Sequence, residues 1–135
     1  MITERHLHLL SEKIFKLLHQ RNVAIDIFLL KNDEIARLKS KFIEKKAEPN
    51  ILSFPEPSSF PHPETKKRYL GEIYLNKDIL KKSPERTVPL LIHGILHLLG
   101  YSHERKADFV KMERLEKKIL AQYGKQMDAR QRNKS

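Results

Sequence analysis

His93 and His97 stand four residues apart in the apolar run Leu90-Leu91-Ile92-His93-Gly94-Ile95-Leu96-His97-Leu98-Leu99. On a helix of about 3.6 residues per turn, that spacing stacks both imidazoles on one face, one turn apart. Gly100 follows three residues later, where a helix commonly closes on a left-handed residue, and the chain can then turn back to deliver His103 to the same point. Three neutral imidazoles leave a tetrahedral metal with one open position, which is the catalytic arrangement; a structural site is closed by four protein ligands. The expected metal is Zn²⁺, one per chain, held by His93, His97 and His103. The chain has no cysteine, so no thiolate ligand competes with this assignment.

Two histidines at i and i+4 arise readily in a chain with seven of them. The full spacing His-x-x-x-His-x-x-Gly-x-x-His is far harder to reach by accident, and it matches the metzincin zinc signature at each ligand and at the glycine. One position differs. Where a metalloprotease keeps its general-base Glu, this chain has Gly94. A glycine inside a helix costs about 1 kcal/mol relative to alanine. Its presence implies that a side chain there would obstruct a ligand or a neighbouring segment, and it argues against a peptidase mechanism.

The stretch His93-Gly94-Ile95-Leu96-His97-Leu98-Leu99-Gly100-Tyr101-Ser102-His103 closely resembles the His-Gly-x-Leu-His-Leu-x-Gly-Tyr-Asp-His motif of the YbeY family, bacterial zinc-dependent endoribonucleases of rRNA maturation and ribosome quality control. Asn50-Ile51-Leu52-Ser53-Phe54-Pro55 is similar to the family's Thr-Asp-Val-Leu-Ser-Phe-Pro segment, and Leu70-Gly71-Glu72-Ile73 to its Leu-Gly-Asp-Ile segment. The resemblance covers about residues 23–120. It implies a zinc-dependent, single-strand-specific endoribonuclease acting in rRNA maturation, including the 16S rRNA 3′ end. Its implied partners are single-stranded RNA and rRNA, the small ribosomal subunit and a ribosome-associated GTPase. It places Glu72 beside the cleft as a catalytic acidic residue and Ser53 among the substrate contacts. Glu104, just after the third histidine, is a second candidate general base. Two departures stand out. Ile43 falls where the resemblance calls for a functional arginine, and an isoleucine cannot grip a phosphate. Lys41 or Lys45 can supply a nearby charge, though as a point and not a fork. Ser102 replaces the usual aspartate.

These residues need a scaffold. Leu7, Leu10, Ile14, Leu17 and Leu18 recur at helical spacing and predict a first helix over 4–20, which leaves His6, His8 and His19 as surface residues. Val23–Leu30 is rich in branched and aromatic residues and reads as a strand buried on both faces. Asn32 or Asp33 caps a second helix, with Ile35, Leu38, Phe42 and Ile43 toward the core. Lys39, Lys41, Lys45 and Lys46 leave that helix a basic face, on which Lys41, Lys45 and Lys46 are candidate phosphate contacts. Short strands follow at 51–54 and 69–75, separated by a polar, Pro-rich loop that contains His62. Ser83-Pro84 or Thr87 opens the histidine helix, which is apolar almost all round and so belongs inside the fold. A last amphipathic helix spans 104–123, ended by Gly124. The resulting expectation is an α+β fold: a small mixed sheet of about three to four strands against helices, with a central metal-binding helix. Residues 1–124 form one hydrolase domain, and 125–135 a basic, disordered tail.

Composition sets the outer bounds. Lys and Arg number 27 against 17 Asp and Glu, a formal charge of +10, with a sequence pI near 9.8. Such a balance favours polyanionic partners. No apolar run is long enough to span a membrane, and the acidic, weakly apolar start is no signal peptide, so a cytoplasmic protein with no membrane partner is expected. Two other classes fit parts of the pattern: a metal-dependent hydrolase of another bond, and a non-catalytic, zinc-stabilised rRNA-binding or ribosome-assembly factor.

Overall fold

Thr3 accepts a hydrogen bond from the His6 amide at 3.1 Å, which caps helix α1 (Glu4–Leu17). The computed structural model describes residues 2–41, 50–56, 67–102 and 104–134, the side chains of 132–134 excepted. After α1 come β1 (Val23–Leu30), α2 (Asn32–Lys41), β2 (Ile51–Pro55), β3 (Arg68–Asn76), α3 (Lys77–Lys82), a 3₁₀ turn (Pro84–Arg86), α4 (Thr87–Leu98) and α5 (Lys106–Lys134). The three strands form a mixed sheet in the order β1-β3-β2, with β1 parallel and β2 antiparallel to β3. This is the expected α+β architecture.

Strand alternation sorts the sheet into two faces. Ile25, Ile27, Ile51, Ile73 and Leu75 point inward and join Leu7, Leu10 and Ile14 of α1, Leu91, Ile92, Ile95 and Leu96 of α4, and Met112 and Ile119 of α5 in one core. Asp26 and Phe28 lie exposed on the other face. The expectation that β1 is buried on both faces is therefore corrected. Its run of apolar residues includes Phe28, which stacks on Tyr74 of β3 at 5.0 Å between ring centroids without being covered. At the edge of β1, the Leu29 amide donates to Glu4 Oε2 of α1 at 3.0 Å, which occupies a donor that a free edge would expose.

The inward face needs close approach between elements, and two glycines allow it. Gly71 has φ +139°, and a Cβ there would fall 2.2 Å from the Phe54 carbonyl oxygen. It sits at a bulge in β3, where pairing jumps from Ala24–Tyr69 to Ile25–Gly71. Gly94 lets α4 settle on the sheet: a Cβ there would stand 2.7 Å from Ile51 Cδ1 and 3.2 Å from both Ile73 Cδ1 and Ser53 Oγ.

Three further boundaries differ from expectation. α1 stops at Leu17, not residue 20, and the chain then turns through His19 and Asn22, both at positive φ. α3 was not anticipated; Asn76 ends β3 and also caps α3 by accepting from the Ile79 amide at 3.1 Å. α5 runs through Gly124 to Lys134, so the expected disordered tail is helical. One glycine costs a helix about 1 kcal/mol, whereas the Lys, Gln, Met, Ala and Arg residues after it are good helix formers extending a helix already nucleated. Among the described residues, no helix is long and apolar enough to cross a membrane.

Candidate functional site

The apolar faces of α4 bury Leu91, Ile92, Ile95 and Leu96, so the register of the helix is fixed and the two histidines it carries are held in place. His93 Nε2 and His97 Nε2 converge to 3.2 Å, with the rings edge to face at 73°. Two nitrogens bound to one zinc at 2.0–2.1 Å and a tetrahedral angle stand about 3.3–3.4 Å apart. The observed spacing is thus the one a shared cation asks for. Two nitrogen lone pairs aimed at each other repel, and either one shared proton or one shared cation removes that repulsion.

A third group bears on the pair. Glu116 of α5 places Oε1 3.2 Å from His93 Nδ1, in a half-buried setting where the side chains are 16% and 29% exposed. When Nδ1–H donates to this carboxylate, Nε2 is the nitrogen left with a lone pair, directed at His97. A carboxylate that orients the far nitrogen of a histidine is a regular companion of zinc ligation. The donor set therefore fits a zinc ion. Sequence reasoning missed Glu116, which lies 23 positions from His93. Its signal was its place beside Met112, Leu115 and Ile119, where an acidic residue on the core-facing side of a helix calls for a partner.

The end of α4 follows the spacing argument closely. Gly100 adopts φ +104°, its amide donates to the His97 carbonyl, and the Tyr101 amide donates to the Leu96 carbonyl, each at 3.0 Å. This paired closure terminates the helix and redirects the chain toward residue 103. His103, the third expected ligand, lies outside the described residues, as do Lys45, Lys46, Ile43 and His62. Among the described residues, no three His, Asp or Glu side chains are grouped to hold a metal.

The remaining candidates separate. Ser53 faces α4 next to Gly94 and stays near the histidine helix. Lys41 is exposed at the end of α2, and Glu104 is exposed in the loop between α4 and α5. Glu72 is not brought to the histidines. Its neighbour Ile73 points at α4, so alternation sends Glu72 to the outer face, where it pairs across from Asp26 and accepts the Tyr74 hydroxyl. The placement beside the cleft is corrected accordingly. Burial, then the hydrogen bond to Glu72, pushes the Tyr74 phenol up to about 12. Burial and the bond from its hydroxyl to Asp26, 2.6 Å long, likewise hold Tyr69 well above the usual phenol range. This outer face is a neutral-phenol, carboxylate surface.

The same contacts weigh on Gly94. The position where a metalloprotease carries its glutamate points into Ile51, Ile73 and Ser53, where a carboxylate would be buried against two apolar side chains.

A sequence model of the family described as Endoribonuclease YbeY matches residues 2–124. The chain is 36% identical over 111 residues to the Endoribonuclease YbeY of Buchnera aphidicola subsp. Baizongia pistaciae, covering 76% of this chain and 70% of that protein. It is 34% identical over 119 residues to the protein of the same name from Sulfurihydrogenibium sp., covering 82% and 76%. With that of Dichelobacter nodosus it shares 37% over 108 residues, covering 74% and 68%.

Proposed function

The chain belongs to the YbeY family, and from that premise we propose that it is a zinc-dependent endoribonuclease that cleaves single-stranded RNA in rRNA maturation, including the 16S rRNA 3′ end, and in ribosome quality control. The observation that carries the zinc reading is the 3.2 Å convergence of His93 Nε2 and His97 Nε2, with Glu116 behind His93. His93, His97 and His103 would hold the ion. When bound, zinc supplies Lewis-acid polarisation of the scissile phosphoryl oxygen.

The chain's own residues do the rest. Burial of α4 fixes both imidazoles, and Glu116 keeps His93 in the tautomer that presents Nε2. The excess of cations, +10 overall, draws the RNA backbone toward the molecule in a salt-dependent way. Of the two acidic candidates for proton transfer, Glu104 is the one still open, since it adjoins His103 in sequence and Glu72 faces away. The family's small-subunit and GTPase partners and a cytoplasmic setting complete the proposal.

The test couples metal content to turnover. Elemental analysis of the purified chain should find about one zinc, and a single-stranded RNA should be cleaved in a chelator-sensitive way. A His97→Ala variant should lose both. Zinc without cleavage would replace this reading by that of a non-catalytic rRNA-binding factor, the alternative that Ile43 favours by standing where the family motif has an arginine. A metal-free, folded His97→Ala protein that cleaved at the wild-type rate would rule out the zinc mechanism.

A further inference from the structure

Helix α5 carries its core residues on one side and a line of cations on another. Lys111, Arg114, Lys118 and Lys125 are all exposed, and at about 100° per residue they lie between about 140° and 180° around the helix from Glu116. At a rise of about 1.5 Å per residue, they span about 21 Å along the axis. Lys117, off this line, is paired with Glu113 at 3.0 Å. None of the four makes an ion pair among the described residues, although Asp108 and Asp128 each stand three positions from one of them, Lys111 and Lys125.

The line does not stand on a flat surface. A groove of about 540 Å³ runs between α5 and the loop after α4, lined by Tyr101, Asp108, Val110, Lys111, Arg114 and Lys118. A second hollow of about 320 Å³, behind Gly100, shares Tyr101, Asp108 and Lys111 with it. Tyr101 is half-buried against the core, so its position is fixed. A fixed aromatic ring beside a row of cations is how single strands are held without regard to sequence: bases stack and phosphates are neutralised in succession.

We propose that this groove and cationic line on α5 are a binding surface for the phosphodiester backbone of single-stranded RNA, on the side of α5 turned away from Glu116 and the α4 histidines. The proposal rests on the reading of RNA as substrate, and it adds where the strand is gripped outside the cleft. The occupant is RNA on grounds of charge and shape: four cations in a row with no ion-pair partner among the described residues, three of them lining a groove that holds one carboxylate, Asp108, beside an aromatic wall. A strand crossing α5 would be held on both sides of the helix that supports His93, so the arrangement serves long substrates more than short ones.

The experiment measures binding of a fluorescent oligouridylate to the full chain across a range of salt concentrations. Lys111→Gln/Arg114→Gln/Lys118→Gln is compared with Arg5→Gln/Lys16→Gln/Arg21→Gln, a set of exposed cations elsewhere that removes the same charge. Losing three phosphate contacts on single-stranded RNA should flatten the slope of log K against log salt by about 2 and weaken binding roughly 100-fold at 0.1 M salt. The control set should change the slope by well under 1. Zinc content and cleavage of a dinucleotide, too short to reach the groove, should match wild type in the α5 variant. Equal losses in both variants would mean a diffuse charge effect and overturn the proposal, as would loss of binding to anionic vesicles with RNA binding intact. A wild-type chain that bound no RNA at all would instead remove the substrate reading itself.

Discussion

Glu116 is the residue on which the metal reading makes its sharpest demand. His93 and His97 meet at 3.2 Å through Nε2, and only a defined tautomer of His93 lets that nitrogen act as a ligand. The Glu116 carboxylate, 3.2 Å from Nδ1, selects that tautomer when Nδ1–H donates to it. Removing such a partner lowers metal affinity about 10- to 100-fold in comparable sites. Glu116→Ala should therefore weaken zinc binding by that factor in a chelator-competition titration. Glu116→Gln should lose less, because the amide oxygen still accepts from Nδ1–H. Equal affinity of Glu116→Ala and wild type would show that the contact does not orient His93. At this scale the sequence was half legible. The histidine pair and Gly100 follow from spacing along one helix, a local property. Glu116 does not, because its nearness to His93 depends on how α5 docks on α4, and no local pattern encodes that angle.

The elements show the same division between local and tertiary information. Gly71 and Gly124 look alike in sequence, yet one is forced by a neighbouring strand and the other is not. At Gly71 a Cβ would meet a backbone oxygen at 2.2 Å under a φ of +139° that side chains rarely adopt, whereas at Gly124 nothing lies within 4 Å. Gly71→Ala should cost about 3 kcal/mol through combined strain and overpacking. Gly124→Ala should stabilise by up to about 1 kcal/mol through helix propensity. Urea unfolding measures both as midpoint shifts at constant slope; a stabilising Gly71→Ala would mean the bulge is dispensable. Gly124 does not end the helix, because one unobstructed glycine costs too little to halt a helix already nucleated. Strand β1 failed for a related reason. Its apolar run predicts burial on both faces, but Phe28 instead stacks on Tyr74 on an open face, and an aromatic pair satisfies that residue without a covering layer. The strands 51–55 and 68–76 and helix α4 were legible because their flanking prolines, asparagine and apolar periodicity agree with their tertiary surroundings.

In the whole molecule, the histidine pair lies on the helix that the rest of the chain is packed around. α4 contacts β2, β3, α1 and α5, and most of its side chains are inside. Zinc bound there, and tied through Glu116 to α5, would engage two elements of the single core, so binding and global folding should be linked. A ligand that binds only the folded state stabilises it by about 2.7 kcal/mol at a free concentration 100 times its Kd. For a domain of this size, that corresponds to a rise in Tm of about 10 °C. Differential scanning calorimetry of chelator-treated protein, with and without zinc, should show the shift; His97→Ala should show almost none. The outcome separates two kinds of metal binding that elemental analysis alone confounds. Zinc scavenged by exposed side chains such as His6 and His19, which bind the unfolded chain as well, would leave Tm nearly unchanged. Zinc seated between His93 and His97 can act only on the folded chain, because the 3.2 Å approach of the two nitrogens exists only while α4 is helical and buried.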